Sequence, residues 1–463
     1  MQLNSSNKIL SVFSLVMINV IAVDNLRSLT TGAVYGFSLL FFYVLAVLLF
    51  FIPSVLVTAE LATGWPTTGG AYIWVREAFG PRWGFLAIWL QWVYNIVWYP
   101  TIFSFIAGII AYLINPALVN NKLFVFLVTL SAFWGVTLLN FMGLKVSNFI
   151  SLLGAIVGTI FPMILISGLG LAWLSMGKQS QIVFSVKSFF PNITDFNNLA
   201  FLTNILFGLM GMEMSAVHAG DVREPTRDYP RALIYSSFII LITLTLACLA
   251  IAIVVPVSQL NLVSGLIDAF GIFFTAYHMT WFIPVIALLI IIGSLSGATA
   301  WIIGPARGLL VAFDDNQLPD LFKRRNKNGM PVSILLIQGV IVSILCTLFL
   351  ILPSVNSSYW ILSNLTAQLA LLFYILFFAA AICLHYQKSH VKRAFKIPGK
   401  KYGIWLICGT GILTCLIANI LGFLPPSGIV KYHGGQYISL LLIGMIIFCL
   451  PPFIWKYLSK IKK

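Results

Sequence analysis

Charge is what this chain has least of. Lys, Arg, Asp and Glu together make up 8% of 463 residues, and only 12 residues are acidic. A soluble domain averages about 25% charged residues, so a water-facing globular surface is excluded. Histidine is also scarce, with five scattered copies, which gives no support to a membrane-embedded enzyme built on clustered acids, bases or metal ligands. The six cysteines (Cys248, Cys346, Cys383, Cys408, Cys415, Cys449) all fall in apolar runs. Their spacings match no zinc or redox motif, so they read as small hydrophobes, and no metal or cofactor is expected. A Walker nucleotide motif is missing too. The longest connections, 176–197 and 313–331, are too short to bury a core of their own.

What is present is apolar and aromatic: 60% hydrophobic residues, with 37 Phe and 13 Trp. Runs of about 20 apolar residues suit membrane helices rather than the alternating strands of a barrel. The fold class is therefore an all-α polytopic membrane protein of about twelve spans. Turn signals place them near 9–36, 38–62, 83–114, 122–144, 147–175, 198–220, 231–257, 272–312, 332–353, 358–386, 402–424 and 435–458. The first span does not read as a removable signal, because it has one basic residue, Lys8, no small-residue cleavage site, and runs directly into more membrane sequence.

The net charge of +15 is topological rather than a nucleic-acid footprint. Even-numbered connections and both termini hold nearly all Lys and Arg, including Arg223/Arg227/Arg231, Lys323/Arg324/Arg325/Lys327, Lys388/Lys392/Arg393 and Lys456/Lys460/Lys462/Lys463. The other side has only Lys122, Lys178, Lys187 and Lys431. By the positive-inside rule both termini are expected in the cytoplasm, with membrane lipid as the surrounding partner.

Polar residues at bilayer depth are costly, so they are functional candidates by default. Glu213 lies among Gly208, Gly211 and Gly220 in the sixth span, where glycines weaken a helix and permit close backbone approach. The alternative is a buried Glu that only pins neighbouring helices. In the first span, Asp24 and Arg27 are one helical turn apart and followed by Ser28, Thr30, Thr31 and Gly32. They are expected to neutralise one another if that segment is helical. The polar cluster itself reads as a discontinuity. Two interruptions five spans apart imply a five-helix unit repeated in inverted orientation, and paired broken helices point to a transporter's central site. Exposed backbone at such breaks suits a carboxylate ligand.

Several stretches then carry a family likeness: AELATGWPTTGGAYIWVREAFGPRWGF (59–85), GMEMSAVHAGDVREPTRDYPRA (211–232), GPARGLLVAFDDNQLPDLFKRRNKNGMPV (304–332) and, more weakly, FKIPGK (395–400). Over nearly its whole length the chain resembles the amino acid–polyamine–organocation superfamily, and within it the glutamate/GABA-antiporter-type permeases. The resemblance implies a five-plus-five inverted repeat, with residues 1–175 as the first copy, 198–386 as the second, and 402–463 as two further spans and a short basic tail. It also implies alternating access across a bacterial inner membrane. Carried over by motif, the substrate contacts are Ala22, Val23, Asp24, Asn25 and Leu26, together with Phe207, Gly211, Met212 and Glu213. Phe207 takes the place of an aromatic gate, and Trp301 lies near an eighth-helix aromatic position. Asn95, Trp98 and Tyr99 have two readings of equal standing, as pocket residues or as packing. Relatives often have a glycine-rich first break, whereas AVDNLR has no glycine.

Glu213, Glu60 and His218 are the candidates for proton coupling. Glu60 reads equally as structural or as part of an inner gate, and His218 as a packing residue. The expected function is a secondary transporter of amino acids, an exchanger or a proton-coupled permease. The alternative is exchange of cationic amino acids or polyamines, drawn by Asp24 and Glu213. An enzyme and a channel are weaker classes. Sodium coupling through the small residues of SLSGATA (294–300) and the oligomeric state stay open.

Overall fold

The computed structural model describes residues 11–67, 69–142, 154–191, 199–216, 222–315, 322, 324–425 and 434–454. His218, Asp221 and Lys145 lie outside them. Among the described residues, ten helices are long and apolar enough to cross a membrane. Ahead of them the chain forms α1 (Val12–Val23) and α2 (Ser28–Ala33), two short helices separated by residues 24–27. Then come α3 (Gly36–Gly64), the short amphipathic α4 (Ala71–Phe79) and α5 (Pro81–Ile114). Next are α6 (Lys122–Asn140), α7 (Ile156–Ser175) and the nine-residue α8 (Ala200–Gly208). The second half has α9 (Pro225–Val254), α10 (Gly265–Ala276), α11 (Ile283–Asp315) and α12 (Val332–Ile351). It closes with α13 (Val355–Gln387), α14 (Lys400–Leu421) and α15 (Gly434–Cys449).

Most span expectations hold to within a few residues, but the eighth does not. The run 272–312 is not one helix. Its first residues belong to α10, which ends at Ala276, and the chain turns at His278 with φ 58° before α11 begins. Hydropathy alone cannot detect that reversal, because both flanks are apolar.

The core lies where α5, α11 and α13 pack together. Tyr99, Phe103, Tyr374 and Phe377 are fully buried there. The outer helices instead turn large apolar residues outward, such as Leu406, Ile420 and Ile446. A lipid bilayer solvates such a surface, while every backbone polar group within the helix is paired along the chain. Helices α7 and α11 meet at their backbones. A side chain at Gly158 would lie 2.2 Å from the Gly293 amide nitrogen, so only glycine permits this crossing.

Candidate functional site

Residues 24–27 interrupt the first membrane segment. Helix α1 ends when Asp24 leaves helical geometry at ψ 91°, its amide still donating to the Val20 carbonyl. The amides of Asn25 and Leu26 donate to no group among the described residues. Asn25 shapes the turn, its side-chain oxygen accepting from the Arg27 amide at 3.1 Å. The second interruption follows Gly208. Residues 209–213 are non-helical, and Gly211 has φ +119°, a conformation open to glycine but strained for other residues.

The two interruptions touch. A Cβ at Gly211 would meet the Ala22 carbonyl oxygen and the Trp301 ring, each at 3.1 Å. The Trp301 indole N–H donates to that same Ala22 carbonyl at 3.3 Å. Tyr99 donates its hydroxyl to the Trp301 carbonyl at 3.0 Å, which fixes α5 against α11. Two cavities flank Trp301. One is lined by Ala22, Asp24, Asn25, Leu26, Trp98 and Trp301, with Thr159, Ser294 and Gly297 opposite. The other is lined by Ala22, Val23, Asn25, Asn95, Trp98, Phe207 and Trp301, with Tyr94, Gly208 and Met210. Both contain the Trp98 ring, whose buried N–H has no partner among the described residues.

The expected ion pair between Asp24 and Arg27 does not form, because the interruption is not a helical turn. Asp24 points to α9, where Thr243 donates to its Oδ2 at 3.0 Å, while Oδ1 has no partner among the described residues. Arg27 points the other way, to α13. It donates to the Tyr359 hydroxyl at 3.0 Å and to Ser363 Oγ at 2.9 Å. Its guanidinium also lies over the Phe207 and Tyr359 rings, 5.6 Å from each centroid. Both charged side chains are buried.

Glu213 lies just past the second interruption. The Tyr374 hydroxyl donates to its Oε2 at 2.5 Å and accepts from the Gly211 amide at 2.9 Å, while Glu213 Oε1 has no partner among the described residues. Met212 is buried beside it. Gly211, Met212, Glu213 and Tyr99 line neither cavity; Gly211 abuts Ala22 and Trp301, and Tyr99 holds Trp301 in place. Asn95 donates to the Gln91 carbonyl at 2.7 Å and also lines a cavity.

Glu60 is placed elsewhere. It ends α3 beside the connection between α13 and α14, where Arg393 donates to its Oε1 and the Ile397 amide to its Oε2 at 2.8 Å. Arg393 also donates to the Leu384 and Lys388 carbonyls at 2.7 and 3.1 Å and covers Trp65, and His385 lies 3.9 Å from Glu60. Glu60 thus fastens that connection to α3 and does not line either cavity.

Sequence reasoning missed Thr243, Tyr359, Ser363 and Tyr374. The available signal was polar residues in apolar spans, since α13 buries Tyr359, Ser363, Asn364, Thr366 and Gln368 within one stretch. No group of His, Cys, Asp and Glu suited to a metal occurs among the described residues.

Known proteins agree with this architecture. Residues 8–448 match the family described as amino acid permease. An uncharacterized transporter of Legionella pneumophila is 52% identical over 458 residues, covering 99% of this chain and 98% of that one. The glutamate/gamma-aminobutyrate antiporter of Lactococcus lactis subsp. lactis is 31% identical over 97% of this chain and 90% of its own. A probable agmatine/putrescine antiporter of the same organism is 25% identical over 90% and 88%. The chain belongs to the amino acid permease family of membrane transporters and is not an enzyme.

Proposed function

We propose that the protein exchanges amino acids across the bacterial cytoplasmic membrane by alternating access about the site beside Trp301. The carrying observation is the meeting of two interrupted helices at Ala22 and Gly211. Counting α1–α2 and the segment opened by α8 as one crossing each brings the ten long helices to twelve. Their spacing supports two five-helix repeats of inverted topology. The basic connections at Arg223, Lys327 and Arg393 support cytoplasmic termini.

In this reading the substrate carboxylate meets the free amides of Asn25 and Leu26. Its ammonium group meets the carbonyl end of α1, where the last helical turn leaves acceptors without helical donors. Phe207 closes one side, and Glu213 is the protonatable group whose state follows the gradient. Two antiporters among the relatives support exchange over one-way uptake.

A second reading is an amine substrate. It is favoured by the failure of Arg27 to neutralise Asp24, and by an oxygen of Asp24 and one of Glu213 that have no partner among the described residues. Proteoliposomes preloaded with unlabelled substrate decide between them. Saturable uptake of labelled glutamate or γ-aminobutyrate, accelerated by internal amino acid, is expected. Transport of agmatine or putrescine alone would replace the first reading with the second, and non-saturating flux would overturn both.

A further inference from the structure

A cleft on the flank of the protein is separate from the cavities beside Trp301. Phe85 and Trp89 of α5, Phe313 of α11, Ile337 of α12, Pro452 beyond α15 and Phe322 line it. It has a volume of about 240 Å³. All its lining side chains are apolar, and its tryptophans have their polar atoms engaged in the protein. Trp89 donates to the Phe448 carbonyl at 2.8 Å, and Trp92 donates to Gln338 Oε1 at 2.9 Å. The first bond has a backbone cause: Pro452 lacks the N–H that would otherwise reach Phe448, four residues earlier. The floor is therefore preformed, aromatic and without a polar handle. Only an apolar group gains by entering it.

Basic residues flank the lining positions along the chain. Phe322, stacked on Phe313 at 4.9 Å, precedes Arg324 by two residues. Arg82 stands one turn before Phe85 on α5, and Arg82, Arg324 and Lys327 are exposed. The α5 wall from Phe85 to Trp92 spans about 10 Å along its axis, two helical turns. A partner helix, about 10 Å across, would leave most of its face outside such a cleft, whereas a stretch of a single hydrocarbon chain is narrow enough to enter it.

We propose that this cleft binds one acyl chain of an anionic phospholipid, with the headgroup phosphate at Arg82, Arg324 and Lys327. The apolar cleft supplies chain binding, and the flanking basic residues supply headgroup selection. Each basic residue near an anionic lipid surface contributes about a fivefold factor.

Native mass spectrometry of protein released from nanodiscs, made from equal phosphatidylglycerol and phosphatidylcholine of identical chains, tests this. Phosphatidylglycerol should be retained preferentially. Replacing Arg82, Arg324 and Lys327 together by Gln should lower that preference by about fivefold or more. Ile337→Trp, which fills the cleft, should lower retention of both lipids, and Ile341→Phe is a milder filling variant if the first does not fold. Equal retention of the two lipids would overturn the proposal, as would unchanged retention in a folded filling variant. So would dimerisation that displaces lipid, or greater lipid occupancy after removal of residues 455–463, because another copy or the tail would then be the occupant. The readout is lipid mass, so a failure of the transport reading leaves this test intact.

Discussion

Glu60 and Glu213 are both buried glutamates, but their surroundings differ in kind. Around Glu60, both carboxylate oxygens have donors, one cationic and one from the backbone. Around Glu213 the only side-chain donor among the described residues is a neutral phenol, and one oxygen has no partner among them. Asp24 repeats the second pattern with Thr243. Burial of charge is costly unless it is paired and hydrogen-bonded. The satisfied carboxylate therefore reads as a fastening, and the unsatisfied ones as groups that await a proton or a ligand. Depth in the sequence does not separate the two classes. Completeness of partners does.

The largest expected effect breaks the fastening. Glu60→Gln leaves the Arg393 guanidinium buried without its counter-charge, a loss of about 3–5 kcal/mol, visible as a lowered unfolding midpoint of the purified protein. Combining Glu60→Leu with Arg393→Met should recover most of that stability. If Glu60→Gln were instead neutral for stability and abolished the pH dependence of exchange, Glu60 would move into the second class.

At the breaks, Gly211→Ala should reduce exchange by about tenfold or more, because a residue forced into such a conformation costs of order 1–3 kcal/mol and its Cβ meets Ala22 and Trp301. Uptake normalised to protein in the membrane measures it. Glu213→Gln should insert normally yet flatten the pH profile of exchange; identical kinetics at acidic and neutral pH in both proteins would remove Glu213 from the mechanism. Tyr374→Phe tests the same group by deleting its donor, a change of about 1.5–3 kcal/mol if the carboxylate is charged.

Smaller still is the coupling between Asp24 and Arg27. Because they face α9 and α13 respectively, a double-mutant cycle of Asp24→Asn and Arg27→Ala should give less than about 0.5 kcal/mol of interaction in stability. Rescue of Arg27→Ala by Asp24→Asn would show that they do pair. A separate effect concerns Asp268 in α10, outside the long spans. Burial pushes its carboxyl up to about 6, against the pull of the Ser264 hydroxyl. The folded state thus holds this proton more tightly than the unfolded chain, whose value lies near 3.9. The resulting stability is present at low pH and is lost as pH rises through about 6. Asp268→Asn should remove that slope between about pH 4 and 6, as followed by thermal unfolding.

The spans were legible because hydropathy and turn residues report burial in lipid directly. The two interruptions were legible for a different reason: charge and glycine at bilayer depth have no ordinary explanation. Partner choice was not legible. Spacing of three suggested that Asp24 and Arg27 meet, but that inference assumes a helix where the chain is extended. Tyr374 and Thr243 escaped because a lone hydroxyl in an apolar run is common, and only the fold shows which one faces a carboxylate. The reversal at His278 escaped because lipid-facing and turn-flanking residues there have the same composition.

The opposite headings of Asp24 and Arg27 also set an order of assembly. Thr243 lies 219 residues after Asp24, and Tyr359 lies 332 residues after Arg27. During synthesis, then, the first segment reaches the membrane long before either partner has been made. Its polar turn must be sheltered by water, lipid headgroups or the insertion machinery until α9 and then α13 arrive. The first segment is completed only once α13 has been made.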